Sequence, residues 1–419
     1  MALLLSFMCI LILILGIITE KSFLNPLVLF SVLWAFILFL AQFELYGLTG
    51  ISSYAFLIVF IGIISFFVGY YSFRLIGKNS KGMIVKFELI EVTRELNIIF
   101  NILLIISFIV LLITSSTSLT LLLQGYTLHD IRYVVGMDRF SSGVINILYS
   151  YVAKPFTILL IPISAYYFFK EQRNTKYLLL AFILITMNVI TDGGRFIVLY
   201  IIINYTIAFF MLKKPKEYKF KIKRNISFYL LVLFSFSFII YITVAREVSI
   251  SETAYVYLVG ALPHLSYRLE VFGDLNYSYT YGFSSLLGII RPFFVVLQSI
   301  GFSFPELANY AEGLTMAIED AVLIGDGVRF NAFTTLFYNF YMDLGILGVV
   351  MGSFLYGLFS SFSYYKILNK MNLVNFSIYL LIMQSLLTSM VRFQFSKFSF
   401  ALCFIYLMII TIRVKRNRR

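Results

Sequence analysis

Charge is what this chain has least of. Only 13% of its 419 residues are Asp, Glu, Lys or Arg, against roughly 25% in a soluble globular domain, and 61% are hydrophobic. A water-soluble core cannot hide that much apolar surface. Cysteine is nearly absent: Cys9 and Cys403 both sit inside apolar runs, which excludes a disulfide framework and a Cys-based metal site. The short polar segments hold no Gly-rich phosphate cradle, no DxD-like pair and no metal-spaced His cluster, so nucleotide chemistry is not expected. Long alternating segments are missing too. Runs such as Leu3 to Ile18 are continuously apolar, whereas a membrane β-barrel alternates over roughly 10 residues per strand.

What is present is a repetition of apolar windows, each long enough to cross about 30 Å of hydrocarbon as a helix. Eleven lie near 2–18, 24–41, 53–73, 97–114, 148–169, 177–191, 196–212, 228–245, 345–365, 372–390 and 398–412. The expected fold is therefore all-α: a polytopic membrane protein forming one transmembrane domain over 1–419. The first window lacks a basic start and a small-x-small cleavage site and is read as a span, not a signal peptide.

The net charge of +13 could mark a nucleic-acid surface, but its distribution explains it by topology. Placing the connecting segments alternately on two sides puts 23 basic residues on one side and 9 on the other, with Lys154 in or beside a span. The crowded side, which includes the basic loop 213–227 and the tail Arg413–Arg419, is expected to be cytoplasmic. The N-terminus and a large loop, 246–329, are then outside. The two sides also differ in kind: 15 Lys and 8 Arg inside, 8 Arg and one Lys outside. Arg offers a planar fork of donors suited to phosphate or carboxylate, so an anion is the expected guest of the outer face. Pairing with the 14 acids of that side is the plain alternative.

Within 246–329, the run 282–304 is nearly a span but carries Arg291-Pro292 at its middle, which predicts a re-entrant or interfacial hairpin broken there. Ser303 and Glu306 read as a capping box for an amphipathic helix carrying Leu307, Tyr310, Leu314 and Ile318. The candidate anion ligands are Arg195, in the turn Thr191-Asp192-Gly193-Gly194-Arg195, then Arg246 and Arg329 at the two ends of the loop, with Arg291 and Arg268 weaker. Arg268 could instead pair with Glu270 or Asp274. His264 is the better of two external histidines for proton transfer, because imidazole titrates near neutral pH; His129-Asp130 with Arg132 could equally bind sugar. Asp320 and Asp343 are the carboxylate candidates, and Asp343 stands in an apolar stretch where an ionisable group needs a partner or a purpose. For Lys154, function and an in-bundle salt bridge remain equally open.

Asp192-Gly-Gly-Arg195-Phe at a span junction, Tyr257-Leu-Val-Gly260 in the long loop, and Tyr338-Asn-Phe-Tyr-Met-Asp343-Leu-Gly345-Ile-Leu-Gly348 entering the next span resemble the bacterial oligosaccharide repeat unit polymerases, the O-antigen and capsule polymerases. The resemblance extends in order and architecture over nearly the whole chain. It implies twelve or more spans, a GT-C-like transferase architecture and a plasma-membrane location. It also implies transfer of a glycan from undecaprenyl diphosphate to a hydroxyl of a second lipid-linked repeat unit, with no cofactor or metal. A chain-length regulator and a flippase would be partners. Arg195, Arg246 and Arg329 would face the diphosphate, one of His264, Asp320 and Asp343 would take the acceptor proton, and Tyr277, Tyr279 and Tyr281 could stack on sugars. A lipid-linked oligosaccharide flippase and a ligase-like glycosyltransferase are the alternatives.

Overall fold

The computed structural model describes residues 1–79, 96–126, 143–170, 175–194, 196–212 and 250–411. It is mostly helical. Among the described residues, six helical stretches are long and apolar enough to cross a membrane, and five shorter apolar helices accompany them. Ten of the eleven expected windows coincide with helices, and the eleventh, 228–245, lies outside the described residues. The reason is local: every window but 148–169, which holds Lys154, is free of internal charge, all are rich in apolar residues, and a helix satisfies its own backbone without water.

The described residues gather into two compact units. The first takes in those of Met1–Val85, Ile242–Asn369 and Ile382–Phe398. Its membrane-type helices are α1 (Ala2–Glu20), α2 (Pro26–Ala41) and α3 (Ser53–Asn79). Asn25 caps α2 by accepting from the Val28 N–H at 2.8 Å, with Pro26 at the first helical position, where no donor is needed.

Most of α3 is packed along a 35-residue helix, Thr335–Asn369, called α13 below. Two glycines permit the approach. A Cβ on Gly69 would stand 2.0 Å from the Phe354 carbonyl oxygen, and one on Gly357 would stand 2.1 Å from that of Phe66. Close backbone approach through small residues supplies the dispersion contact that binds helices where hydrophobic driving force is weak. Around it lie Phe30 stacked on Phe66 at 4.2 Å and Trp34 against Phe337 at 5.0 Å. The buried Trp34 indole donates to Ser389 Oγ at 3.1 Å.

The second unit takes in the described residues of Lys86–Tyr241, Lys370–Leu381 and Ser399–Arg419. It contains α4 (Ile98–Leu123), α5 (Gly143–Leu148), a π-helical turn over Tyr149–Ala153, α6 (Lys154–Lys170), α7 (Thr175–Asp192) and α8 (Phe196–Leu212). Pro155 has no N–H for the carbonyl of Tyr151, four residues back. The Tyr406 hydroxyl donates to that oxygen instead, at 2.5 Å, and Cys403 Sγ approaches the Pro155 carbonyl at 3.3 Å.

In the first unit, 250–334 folds as α9 (Ile250–Val259), α10 (Ala261–Asp274), α11 (Phe283–Ser299), α12 (Glu306–Ala317) and a two-stranded hairpin, β1 (Val322–Leu323) with β2 (Arg329–Phe330). After α13 come α14 (Leu373–Leu387) and α15 (Phe398–Thr411). Two expectations are corrected here. The chain does not break at Arg291-Pro292: α11 runs unbroken through both. The reversal comes at Gly301, whose φ of 96° suits a residue without Cβ, so the hairpin is α11–turn–α12. Nor does Ser303 cap α12. The helix begins at Glu306 after Pro305, with no side-chain cap, and Glu306 gains instead from the helix dipole. Its expected inner face is observed, Leu314 and Ile318 being buried and Leu307 and Tyr310 half-buried.

Candidate functional site

The motif Tyr338-Asn-Phe-Tyr-Met-Asp343-Leu-Gly345 lies in the first half of α13, which kinks at Leu344 and Gly345. Gly345 adopts φ 59° and ψ −139°, a region essentially reserved for glycine. The kink takes two carbonyls out of the helical ladder, and a neighbouring segment uses them. The Thr280 N–H donates to Met342 O at 2.9 Å and the Tyr281 N–H to Asp343 O at 3.0 Å.

The Asp343 carboxylate is equally engaged. It accepts from the Thr280 hydroxyl at 2.6 Å and from the Ser284 and Ser285 N–H groups at 2.9 and 3.2 Å. The last two donors open α11, where a helix leaves N–H groups unpaired and favours negative charge. Asn339 adds a bond from Phe393 N–H to its Oδ1 at 3.1 Å. In this arrangement Asp343 latches the start of α11 to α13.

A second cluster centres on His264, fully buried on α10. Its Nδ1 meets the Phe333 carbonyl at 2.9 Å, so Nδ1 carries the proton. Nε2 then accepts from Arg268 Nε at 2.9 Å, one helical turn on. Burial first, and then the Arg268 charge, lower the imidazole to about 4, which keeps it neutral. Both nitrogens are used, and taking a proton at Nε2 would place a cation against Arg268. This disposition weighs against His264 as the proton acceptor.

Arg268 does not pair with Glu270 or Asp274 as its spacing allowed. Its Nη2 donates to the Asp320 main-chain carbonyl at 3.0 Å, while Asp320 itself is exposed. Arg392, 5% exposed, pairs with Glu319 and donates to Ala332 O at 3.1 Å. Its Nε is buried with no hydrogen-bond partner. Arg268, His264, Arg392, Glu319 and Asp320 thus bind three stretches that are far apart in the chain. Arg392 went unremarked in the sequence; its signal was a cation in the short segment 391–397 between two apolar windows.

The other expected residues are placed as follows. Arg291 forms an ion pair with Glu312 between α11 and α12. Arg329 is exposed on β2, in a hairpin held by Thr49 N–H to Ile324 O at 2.8 Å and Asp326 N–H to Gly47 O at 2.9 Å. In the second unit, Asp192 ends α7 and meets Lys154 Nζ at 2.6 Å, so Lys154, inside the helical stretch Gly143–Lys170, is half of an ion pair. Gly193 takes φ 61° and donates to Val189 O at 2.8 Å, the left-handed stop expected of the turn. Arg195, Arg246, His129, Asp130 and Arg132 lie outside the described residues.

Comparison with family models, with curated proteins and with solved structures finds no match to this chain. The chemistry is therefore argued from its own residues: an all-α architecture compatible with membrane insertion, carrying a folded assembly over 250–345 in which Arg268 is positioned by buried bonds and Arg329 is exposed.

Proposed function

We propose that this protein polymerises undecaprenyl-diphosphate-linked oligosaccharide repeat units into O-antigen, capsule or exopolysaccharide on the outer face of a bacterial plasma membrane. The observation that carries the reading is the fold of 250–345. It is a latched helical assembly, set between membrane-type helices, that holds Arg268 and Arg392 and displays Arg329 and Asp320 at its surface.

In the proposed reaction an acceptor-sugar hydroxyl oxygen attacks the anomeric carbon of the donor glycan. The carbon–oxygen bond to the diphosphate breaks, and undecaprenyl diphosphate leaves with the bonding pair. Negative charge grows on the leaving group, and fixed guanidinium donors stabilise it without reorganisation. Arg195, Arg246 and Arg329 are assigned this role; Arg291, already neutralised by Glu312, contributes less. The acceptor proton goes to a carboxylate. Asp320 is the preferred base, because it is exposed, whereas Asp343 is spent on Thr280, Ser284 and Ser285.

The rival reading, a flippase, would be favoured by ionisable groups near the midplane. Lys154 is the one feature that favours it, and within the helical stretch Gly143–Lys170 that cation is already paired with Asp192 at the close of α7. The test is gel analysis of glycan from a deletion strain complemented with wild type or Arg195→Ala at matched membrane levels. Long chains restored by the wild type alone support the polymerase and the role of Arg195. No repeat units at the outer face would favour the flippase, and long chains accumulating on lipid would favour a ligase. Polymer of normal amount and length from Arg195→Ala would remove that residue from the site.

A further inference from the structure

Tyr277-Ser-Tyr279-Thr-Tyr281 places three tyrosines at alternate positions of a non-helical segment. Alternate positions of an extended segment share a side, and for the first two the contacts agree: Tyr277 and Tyr279 both meet the Phe272 ring, at 5.7 Å edge-on and 5.8 Å stacked. Tyr341 meets Phe272 at 5.5 Å, and Tyr54 meets Tyr341 with ring centroids at 6.1 Å and hydroxyls at 3.1 Å. The outer rings of this series keep much of their surface free, Tyr54 and Tyr279 each being 40% exposed, and Tyr281, two residues on from Tyr279, is 66% exposed.

The segment is rigidly held from its other side. Ser278 N–H donates to Tyr310 at 3.0 Å, Thr280 and Tyr281 N–H donate to the carbonyls freed by the α13 kink, and Thr280 Oγ1 bonds Asp343. Asn276 and Tyr281 bracket it with φ of 48° and 50°, a conformation that side-chain-bearing residues keep only when their surroundings enforce it. The Tyr279 hydroxyl lies 2.8 Å from where a Gly345 Cβ would be, so the ring is seated on the kink itself.

We infer that Tyr54, Tyr279 and Tyr281 form a saccharide-binding shelf that holds the glycan away from the transfer centre; the inference rests on the proposed function for the nature of its ligand. The electron-rich face of a phenol ring attracts the polarised C–H face of a pyranose, and the hydroxyl rim supplies bonds. A shelf fixed in advance loses little entropy when a flexible chain settles on it. Residues serving only as a belt at the headgroups would need neither the alternating pattern nor the locked backbone.

The shelf predicts that ring removal shortens chains without stopping initiation. In the complemented deletion strain, Tyr281→Ala and the pair Tyr279→Ala/Tyr281→Ala should reduce the modal chain length while membrane level and the number of chains hold. The pair Tyr279→Phe/Tyr281→Phe should keep the wild-type length. In parallel, the full-length protein in nanodiscs is titrated with the delipidated repeat-unit oligosaccharide of its own host. The wild type should bind it and the Ala pair should bind about tenfold more weakly, a loss of about 1.4 kcal/mol. Unchanged chain length and equal binding, or no binding by the wild type, overturn the shelf. Loss of membrane level in Tyr281→Ala with chain length intact assigns the residue to the belt and overturns it too. If the wild type restores no long chains yet binds the oligosaccharide in a Tyr-dependent manner, the polymerase reading fails and the shelf stands.

Discussion

Acidification isolates the contribution of His264, because the fold holds its imidazole neutral. The folded value is lowered to about 4 from an ordinary 6.5, by burial and then by Arg268. In an unfolded chain the same ring protonates as the pH drops through the ordinary value, so between the two values the unfolded state binds more protons. Stability is therefore fully present above pH 6.5 and is lost as the pH falls toward 4.

From pH 7.5 to 5 the imbalance amounts to about 2 kcal/mol, taking about 1.4 kcal/mol per unit of displacement. The assay is the apparent unfolding midpoint of the full chain in detergent at a fixed heating rate, wild type against His264→Gln. Glutamine can still donate to Phe333 O and accept from Arg268, yet does not titrate. The wild type should lose its midpoint between pH 7.5 and 5 more steeply than the variant. Parallel loss in the two proteins would refute the argument, since the acid sensitivity would then lie elsewhere.

Gly345→Ala should destabilise the fold by about 1–3 kcal/mol, because it forces a side chain into φ 59° against the Tyr279 hydroxyl; a midpoint within error of wild type would contradict the kink. Arg392→Ala removes a donor from half-exposed Glu319 and from the Ala332 carbonyl and should cost about 1–2 kcal/mol, most of it from the lost bond to the Ala332 carbonyl because the ion pair is screened by solvent, read as lowered membrane level and midpoint. A double-mutant cycle on Lys154→Ala and Asp192→Ala should return a coupling near 1 kcal/mol, modest because both groups are partly solvated; additivity would show that the pair is incidental. Arg291→Ala should leave polymer largely intact, since Glu312 already holds that guanidinium, whereas abolished polymer in gel analysis would return Arg291 to the diphosphate site.

Much of the architecture was legible in the composition and its spacing. Long apolar runs nearly free of internal charge have one outcome in a helix-forming chain, and ten such runs are helices where they were expected. The glycine turn after Asp192 was likewise readable, since a left-handed helix stop is a local property of the backbone.

What tertiary structure alone decided were the partners. Whether Asp343 is a base or a latch depends on Thr280, Ser284 and Ser285, about sixty positions away. Whether His264 is a proton acceptor depends on Phe333 and Arg268 occupying its two nitrogens. Arg392 gave little warning in one dimension, because Glu319 and Ala332 reach it only through the fold. The reversal at Gly301 in place of Pro292 has the same origin: a proline within a helix is tolerated when the surrounding packing makes up for its missing bond, and packing is not written in local order. Local sequence determined which segments are helical, since each helix closes its own hydrogen bonds. The state of each ionisable side chain was decided by charges and donors brought together from distant positions.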